Sequence, residues 1–306
     1  MKLWLLAILA MFAACSSAQT GGGRVDPVLG SLVPPDTFLL AGIRMSELRL
    51  TPLYRKTLGE DLNATLDDFA KNTNFDVRKD VNDLLIASTS AGAGKLVLAR
   101  GNFKIQPPAG FKKSTYKGAA VYSAVSGKDQ GAYAILDPTT AVAGTAPDVR
   151  RVIDQKQSGQ RGATALVDQA RALPGYGQIW LVSNGWGSLP QDLSHQDGNI
   201  SNLGRFLQAI EHATAIADLR SGLVANITGQ CKSEQDAKSL GDAARGMVAL
   251  GRLNVPENRS ELLRLFDGIK VEQKQRSIQV NANISADLID KMLQKNTASP
   301  KARGAR

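Results

Sequence analysis

The strongest constraint on the fold is the way in which short apolar segments are grouped along the chain. Segments such as 37–43, 83–88 and 95–100 are compact or alternating, as expected of β-strands, and helical patterns stand between groups of them. A doubly wound parallel sheet needs strands and helices in strict alternation, and this sequence lacks that order. The pattern therefore predicts an α+β fold in which helices pack on a mostly antiparallel sheet.

Turn and capping residues place several of these elements. Thr145 with Pro147 predicts the start of one helix, Ser233 with Asp236 resembles a capping box, and Ser285 caps a last helix. A hairpin is expected around residues 220–222. Further strands are predicted at 119–125, 132–136, 140–143, 178–182, 214–219, 223–228, 269–274 and 277–284.

Two segments are predicted on weaker patterns. Residues 106–113 contain prolines and are expected to form a loop. Leu203, Phe206, Leu207 and Ile210 recur at helical spacing, which predicts a helix that ends near His212. A histidine at that end is typical of a cation that caps a helix.

The two halves of the chain have a similar order of elements. Each opens with a compact strand, continues through helices and paired strands, and closes with a strand pair and a helix. We therefore expect two duplicated α+β units, at 37–175 and 176–295. Residues 19–36 form a lead-in, and 296–306 form a basic tail that we expect to be disordered.

The first residues have the features of an export signal. Lys2 is followed by an apolar run over 3–14, which is too short to cross a bilayer as a helix, since a span needs about 20 residues. We therefore predict a signal peptide over 1–18 and a protein located in the periplasm or at the outer membrane.

Two cleavage sites are compatible with this signal. The segment 12–15 resembles a lipobox, in which Cys15 is acylated and becomes the mature N-terminus, although Phe12 replaces the usual leucine. The alternative is cleavage after Ala18, which gives a soluble periplasmic or secreted protein. The short signal and the glycines at 21–23, typical of a flexible tether, favour lipidation and a membrane partner through the lipid.

Cysteine usage agrees with export. Apart from Cys15 the chain contains only Cys231, so no internal disulfide is expected after processing. Cys231 lies at a predicted junction between a strand and a helix, without a histidine nearby in sequence. We interpret it as a small buried apolar residue rather than a reactive thiol.

The formal net charge of +9 does not indicate nucleic-acid binding. Lys295, Lys301, Arg303 and Arg306 account for four of these charges in a tail without acidic residues. No recognised DNA- or RNA-binding motif occurs, so we expect no nucleic-acid partner.

Histidine and serine offer little catalytic chemistry. His195 with Asp192 and Asp197 could bind a metal in principle, but this polar loop lacks the spacing of known sites. No nucleophile elbow or Walker motif occurs, and the glycines at 91–95 indicate a hairpin turn. No metal or cofactor is predicted.

Carboxylates are the remaining candidates, because a hydrolase of the glycosidase type needs only two of them. Asp67 and Asp68 lie on a predicted helix, and Asp80 and Asp83 flank the start of a strand. Solvated surface is the simpler interpretation of all four, since a catalytic pair requires one carboxyl group in a dry pocket.

Five-residue and longer motifs give the chain a resemblance to a family. The motifs are Leu-Val-Pro-Pro-Asp at 32–36, Asp-Val-Arg-Lys-Asp at 76–80, Val-Leu-Ala-Arg-Gly at 97–101 and Cys-Lys-Ser-Glu-Gln-Asp-Ala-Lys at 231–238. On these motifs the chain resembles a group of secreted or lipid-anchored proteins of soil bacteria, particularly acidobacteria, that has no established activity. The resemblance implies an envelope location and no catalytic residues.

These observations favour a non-enzymatic envelope protein. It would bind another envelope protein or a small ligand through the groove or sheet face between the two units. A hydrolase with a dispersed carboxylate site is one alternative. A lipid-binding or chaperone-like protein, which would need an apolar cavity or patch, is the other.

Overall fold

The computed structural model describes residues 25–57, 60–90, 95–104, 106–107, 110–125, 131–160, 162–185, 208–256 and 261–297. The signal segment with Cys15, the loop with His195 and the tail from residue 298 lie outside this part of the chain. Helices and a large antiparallel sheet make up the described structure, so the α+β prediction is confirmed.

The strands are all hydrogen-bonded into one sheet. They are β1 (Thr37–Arg44), β2 (Val81–Thr89), β3 (Lys95–Gly101), β4 (Phe111–Tyr116), β5 (Ala119–Ala124), β6 (Gly131–Asp137), β7 (Thr140–Thr145), β8 (Ile179–Asn184), β9 (Ile210–Asp218), β10 (Gly222–Cys231), β11 (Ile269–Lys274) and β12 (Ser277–Ser285). Their order across the 12-stranded sheet is β11-β12-β10-β9-β8-β1-β2-β3-β7-β6-β5-β4. The first strand of each predicted half, β1 or β8, therefore lies at the centre of the sheet.

The helices connect these strands. They are α1 (Pro27–Leu32), α2 (Met45–Leu48), α3 (Pro52–Thr57), α4 (Glu60–Thr73), α5 (Val77–Asp80), α6 (Ala146–Ser158), α7 (Thr164–Ala172), α8 (Glu234–Leu253), α9 (Glu261–Asp267) and α10 (Ala286–Thr297). The predicted caps are confirmed: Thr145 Oγ1 accepts from the Asp148 amide, and Ser233 Oγ accepts from the Asp236 amide. The predicted hairpin joins β9 to β10, and its Gly222 has a positive φ of 128°.

One face of the sheet, which we call the back face, carries the main core. Large apolar side chains such as Leu40, Leu98 and Trp180 are at most 1% exposed there. They pack against α1, α6 and α7, whose inward residues include Leu29 and Val152. The apolar area buried in this core and its close packing stabilise the fold.

The opposite, front face is covered by two smaller clusters. In the first half, α2 and α5 pack with Phe75 and Phe103 over Leu84 and Ala99. In the second half, α8 covers Ala213, Cys231 and Ile278. The Lys56 ammonium on α3 lies 2.5 Å from the Asp290 carboxylate on α10 and so links helices of the two halves.

Two local predictions are wrong. Phe111–Lys113 belongs to β4 rather than to a loop, because this edge strand pairs with β5 although its outward side chains are polar. Ile210 and His212 belong to β9 rather than to a helix end, because pairing with β8 and β10 fixes them in extended backbone. Both are cases in which non-local pairing overrides a short local pattern.

Candidate functional site: an apolar row across the front face

The strand registers align one residue from every strand into a single row on the front face. We call it the central row. From edge to edge its members are Val271, Val280, Ile227, Ala215, Leu181, Ala41, Ile86, Val97, Ala143, Tyr133, Tyr122 and Lys113. At the usual strand spacing the row is about 50 Å long.

Every member of the central row except the terminal lysine is apolar or aromatic, yet none of them is fully buried. Ile227 is 47% exposed, Ala143 is exposed, and the other apolar members are half-buried. The back face of β1 and β2 is closed: Leu40 and Ala87, beside Ala41 and Ile86 in sequence, are 0% exposed. In the first half of the sheet, the accessible apolar strip on the front face therefore lies opposite a packed back face.

The strip is accessible because the helices cover the rows on either side of it. In the first half, α2 and α5 cover one neighbouring row, which contains Ile43, Leu84 and Ala99. In the second half, α8 covers the row on the other side, which contains Ala213 and Ile278. The central row thus lies between the two groups of helices, and its end at Val271 packs against the α8 cluster.

The β4 end of the row is aromatic and then basic. The rings of Tyr122 and Tyr133 stack with centroids 4.9 Å apart, and Phe111 contacts Tyr133 edge-on at 5.3 Å. Burial raises the pKa of Tyr133 to about 12, and the neighbouring Tyr122 adds to this shift. The Tyr133 hydroxyl is shielded from solvent and has no hydrogen-bond partner among the described residues, and its raised pKa keeps it neutral at physiological pH.

A second unpartnered hydroxyl lies beside the row in its centre. Ser183 on β8 is 1% exposed, and its Oγ has no hydrogen-bond partner within the described part of the chain. It is in register with Leu39 and Ala213 on the front face, two residues from Leu181 of the row. An unsatisfied buried hydroxyl is costly, and such groups in native structures are often associated with a function.

The front and back faces differ in the second half of the sheet. Behind the row, the back face of β9–β12 carries polar side chains, and Asn226 donates a hydrogen bond across to Asn281 at 2.5 Å. Antiparallel sheets commonly pair one apolar face with one polar, solvated face. The apolar side in this half is the front face, so the accessible strip is not the ordinary wet face of the sheet.

The carboxylates that the sequence singled out do not form a common site among the described residues. Asp67 binds Arg78 at 2.6 Å, Asp68 lies 3.9 Å from Lys71, and an Asp80 oxygen accepts the Asp76 amide at 2.7 Å. These contacts are surface ion pairs and a local hydrogen bond to the backbone, which are common for carboxylates without a catalytic role.

Asp83 differs from the other three carboxylates. Burial raises its pKa and Asp26 raises it further, while Arg44 and Arg100 oppose the shift. Arg44 and Arg100 are its register partners on the two adjacent strands. This strand-end ion network lies on the back face, apart from the central row.

The cysteine and histidine predictions have different outcomes. Cys231 ends β10, is 0% exposed, and has its thiol pKa raised by burial, as a small core residue should. His212 is exposed on β9, with Nδ1 3.0 Å from Asn184 Oδ1, and caps no helix. Cys15 and the His195 group lie outside the described residues. Within those residues, no cluster of three or more metal-binding side chains occurs.

The central row contains no polar or catalytic motif that would mark it in the sequence. The only signal in the sequence was the apolar character of both faces of strands such as β2 and β8. A strand with two apolar faces appears in the sequence as a compact apolar run, which does not reveal which of the two faces remains accessible to solvent.

Comparisons with known proteins find only weak structural similarity. No protein-family model and no curated protein sequence matches the chain. Two solved structures, crystal forms I and IV of TP0453, are similar with 11% and 10% identity and TM-scores of 0.44 and 0.47. These alignments cover 89% and 90% of this chain and 98% and 97% of TP0453. None of the helices in the described ranges is long and apolar enough to span a membrane.

Proposed function

We propose that this chain is an exported, non-catalytic binding protein of the bacterial envelope that holds an apolar ligand or partner along the central row. The observation that supports it is the continuity of the row, which is apolar on eleven consecutive strands of the sheet order and remains accessible to solvent. A continuous apolar strip that is partly exposed over this extent favours a site of interaction. A bound ligand or partner that covers the row would gain a favourable free energy of about 25 cal/mol for each Å² of apolar area removed from water.

The proposed duplication of an α+β unit fits the position of the row. From the central strands β1 and β8, the sheet continues outward through β2 and β3 in one direction and β9 and β10 in the other. Later strands of each half then join, β7 beside β3 and β12 beside β10. The row would then be a composite of two related units, with its centre at their junction.

A second apolar surface supports a role in contact rather than in catalysis. Met247, Leu250 and Leu253 recur along α8 and are 56%, 58% and 81% exposed. A stripe of this kind on a surface helix is typical of contact with another macromolecule or a membrane surface. It is separate from the row in sequence and can be altered independently.

The first experiment measures binding of N-phenyl-1-naphthylamine, an uncharged apolar fluorophore, to the mature protein. We expect the Ile227→Asp, Ala143→Asp double variant to bind the probe at least tenfold more weakly, because a charge at each of two exposed row positions makes the strip polar. Both residues are exposed, so the variant should melt within a few degrees of the wild type.

Two controls make that result specific. Thr228→Asp changes the next residue of β10, on the back face, and should leave probe binding unchanged. Leu250→Ser with Leu253→Ser alters the α8 stripe without touching the row. Equal binding by the row variant and the wild type would contradict the proposed site, and so would a loss that occurs only in the α8 variant.

The anchor is tested separately in cells. We expect wild-type protein to fractionate with membranes and to incorporate labelled palmitate, whereas Cys15→Ala should lose the label and become soluble in the periplasm. Ser16→Ala serves as a neighbouring control. An unlabelled protein that keeps its first methionine and is found in the cytosol would contradict both the anchor and the envelope location.

A further inference from the structure

The central row is chemically asymmetric. One end terminates at Val271 on β11, without a charged member, and the other terminates at Lys113 on the edge strand β4. No acidic residue occurs anywhere in the row. A ligand that matches this pattern has one anionic end and a long apolar body.

The basic end is free to bind an anion. Lys113 is exposed and makes no ion pair with any residue in the described ranges. Lys95, also exposed on the front face, lies two residues from Val97 of the row and likewise has no ion-pair partner there. The cations that do have carboxylate partners lie off the row, as Lys117 in the turn between β4 and β5 has Asp154 at 2.6 Å and Lys156 on α6 has Asp137 at 2.9 Å.

The next two positions suit the junction between a headgroup and a chain. Tyr122 and Tyr133 stack beside Lys113, and tyrosines of this kind place an apolar ring against a chain and a hydroxyl towards a polar group. Tyr122 and Tyr133 are both half-buried, so part of this aromatic pair remains accessible beside the basic end.

The body of the row suits an extended chain. Beyond the tyrosines, Ala143, Val97, Ile86 and Ala41 follow on adjacent strands, and all are accessible aliphatic residues. The strands from β6 to β1 span about 20 Å at the usual spacing. An extended long-chain acyl group is of comparable length.

From this arrangement we infer that the ligand is an anionic long-chain acyl amphiphile whose headgroup lies at Lys113 and whose chain crosses from Tyr133 towards Ala41. This inference rests on the proposed function and assigns a ligand class and an orientation to its central row. Charge complementarity at Lys113 and the apolar continuity of the row select this occupant over a second protein segment.

The test compares cis-parinaric acid, a fluorescent long-chain fatty acid, with its uncharged methyl ester. Wild-type protein should bind the acid more tightly than the ester. Lys113→Gln should weaken binding of the acid about fivefold, the effect of losing roughly 1 kcal/mol from an exposed ion pair, and should leave binding of the ester unchanged. Lys113→Arg should retain most of the affinity.

Lys112→Gln is the matched control. Lys112 is the adjacent residue of the same strand, is equally exposed, and points to the back face with Ser123. If Lys112→Gln and Lys113→Gln weaken the acid equally, or if the acid and ester bind wild type alike, the headgroup assignment is wrong while the apolar site along the row stands. If neither probe binds, the proposed function fails together with the inference.

Discussion

Replacing Gly42 with alanine should lower the free energy of unfolding by about 3 kcal/mol, at the upper end of the usual cost of overpacking a dense core. Gly42 on β1 is in register with Trp180 on β8, and both belong to the back face. A methyl group at Gly42 would overlap Cε2 and Cζ2 of the indole and lie 2.5 Å from Nε1. Trp180 is 1% exposed, so the ring has no solvent-filled space into which it can move.

The measurement is urea denaturation followed by circular dichroism, supported by a melting temperature that should fall by roughly 10 °C. Gly246→Ala is the control, because a methyl group there meets no atom within 4 Å, and Gly246 lies in helix α8. It should raise stability by up to about 1 kcal/mol through helix propensity.

A second background separates the clash from a general effect of glycine replacement. Trp180→Leu removes the ring and should itself cost several kcal/mol, but Gly42→Ala added to it should cost less than about 1 kcal/mol. If the cost of Gly42→Ala is the same with and without the indole, the two residues are not coupled and the packing argument is wrong.

Much of the local structure followed from the sequence. The hairpin at Gly222, the caps at Thr145 and Ser233 and the burial of Cys231 are each decided by a few neighbouring residues, and all are as predicted. Strand β4 was missed because Lys112 to Thr115 are all exposed, as befits an edge strand whose charges discourage further pairing. His212 was misassigned because its strand partners are distant in sequence.

The candidate site, like the placement of His212, depends on residues that are distant in sequence. Alternation along β2 shows that Leu85 and Ile86 face opposite ways, but only the pairing of strands from β2 through β1, β8 and β9 to β10 places Ile86 and Ile227 in one row. The openness of the row also depends on where α2 and α8 pack. Neither property is encoded within any short window of the sequence.

Gln178→Leu should lower the free energy of unfolding by about 3 kcal/mol, because it leaves the Leu219 amide without its hydrogen-bond acceptor and removes a hydrogen bond to the Asp218 carboxylate. Gln178 is 0% exposed, and its side chain accepts the Leu219 amide at 2.7 Å and donates to Asp218 at 3.1 Å. It therefore fixes the turn between β9 and β10 to the start of β8. Leucine has a similar volume, so lost hydrogen bonds rather than a cavity account for the expected loss.

Gln178→Glu gives this prediction a pH signature. In the wild type, hydrogen bonds from Arg220 lower the pKa of Asp218 to about 2 from its ordinary value of 3.8. The lowered folded-state pKa contributes stability at neutral pH, on the order of 2 kcal/mol, that is lost as the pH falls below about 4. In Gln178→Glu a second carboxylate would face Asp218, which raises the folded-state pKa of one of the pair.

The variant should consequently be strongly destabilised at pH 7 and should recover relative to the wild type as the pH falls and the pair takes up a proton. Other acidic groups titrate in both proteins, so the informative quantity is the difference in free energy of unfolding between variant and wild type at pH 7, 5 and 4. That difference should shrink on acidification for Gln178→Glu, whereas for Gln178→Leu it should not show this recovery. A constant difference for Gln178→Glu would mean that residue 178 and Asp218 do not interact across the turn.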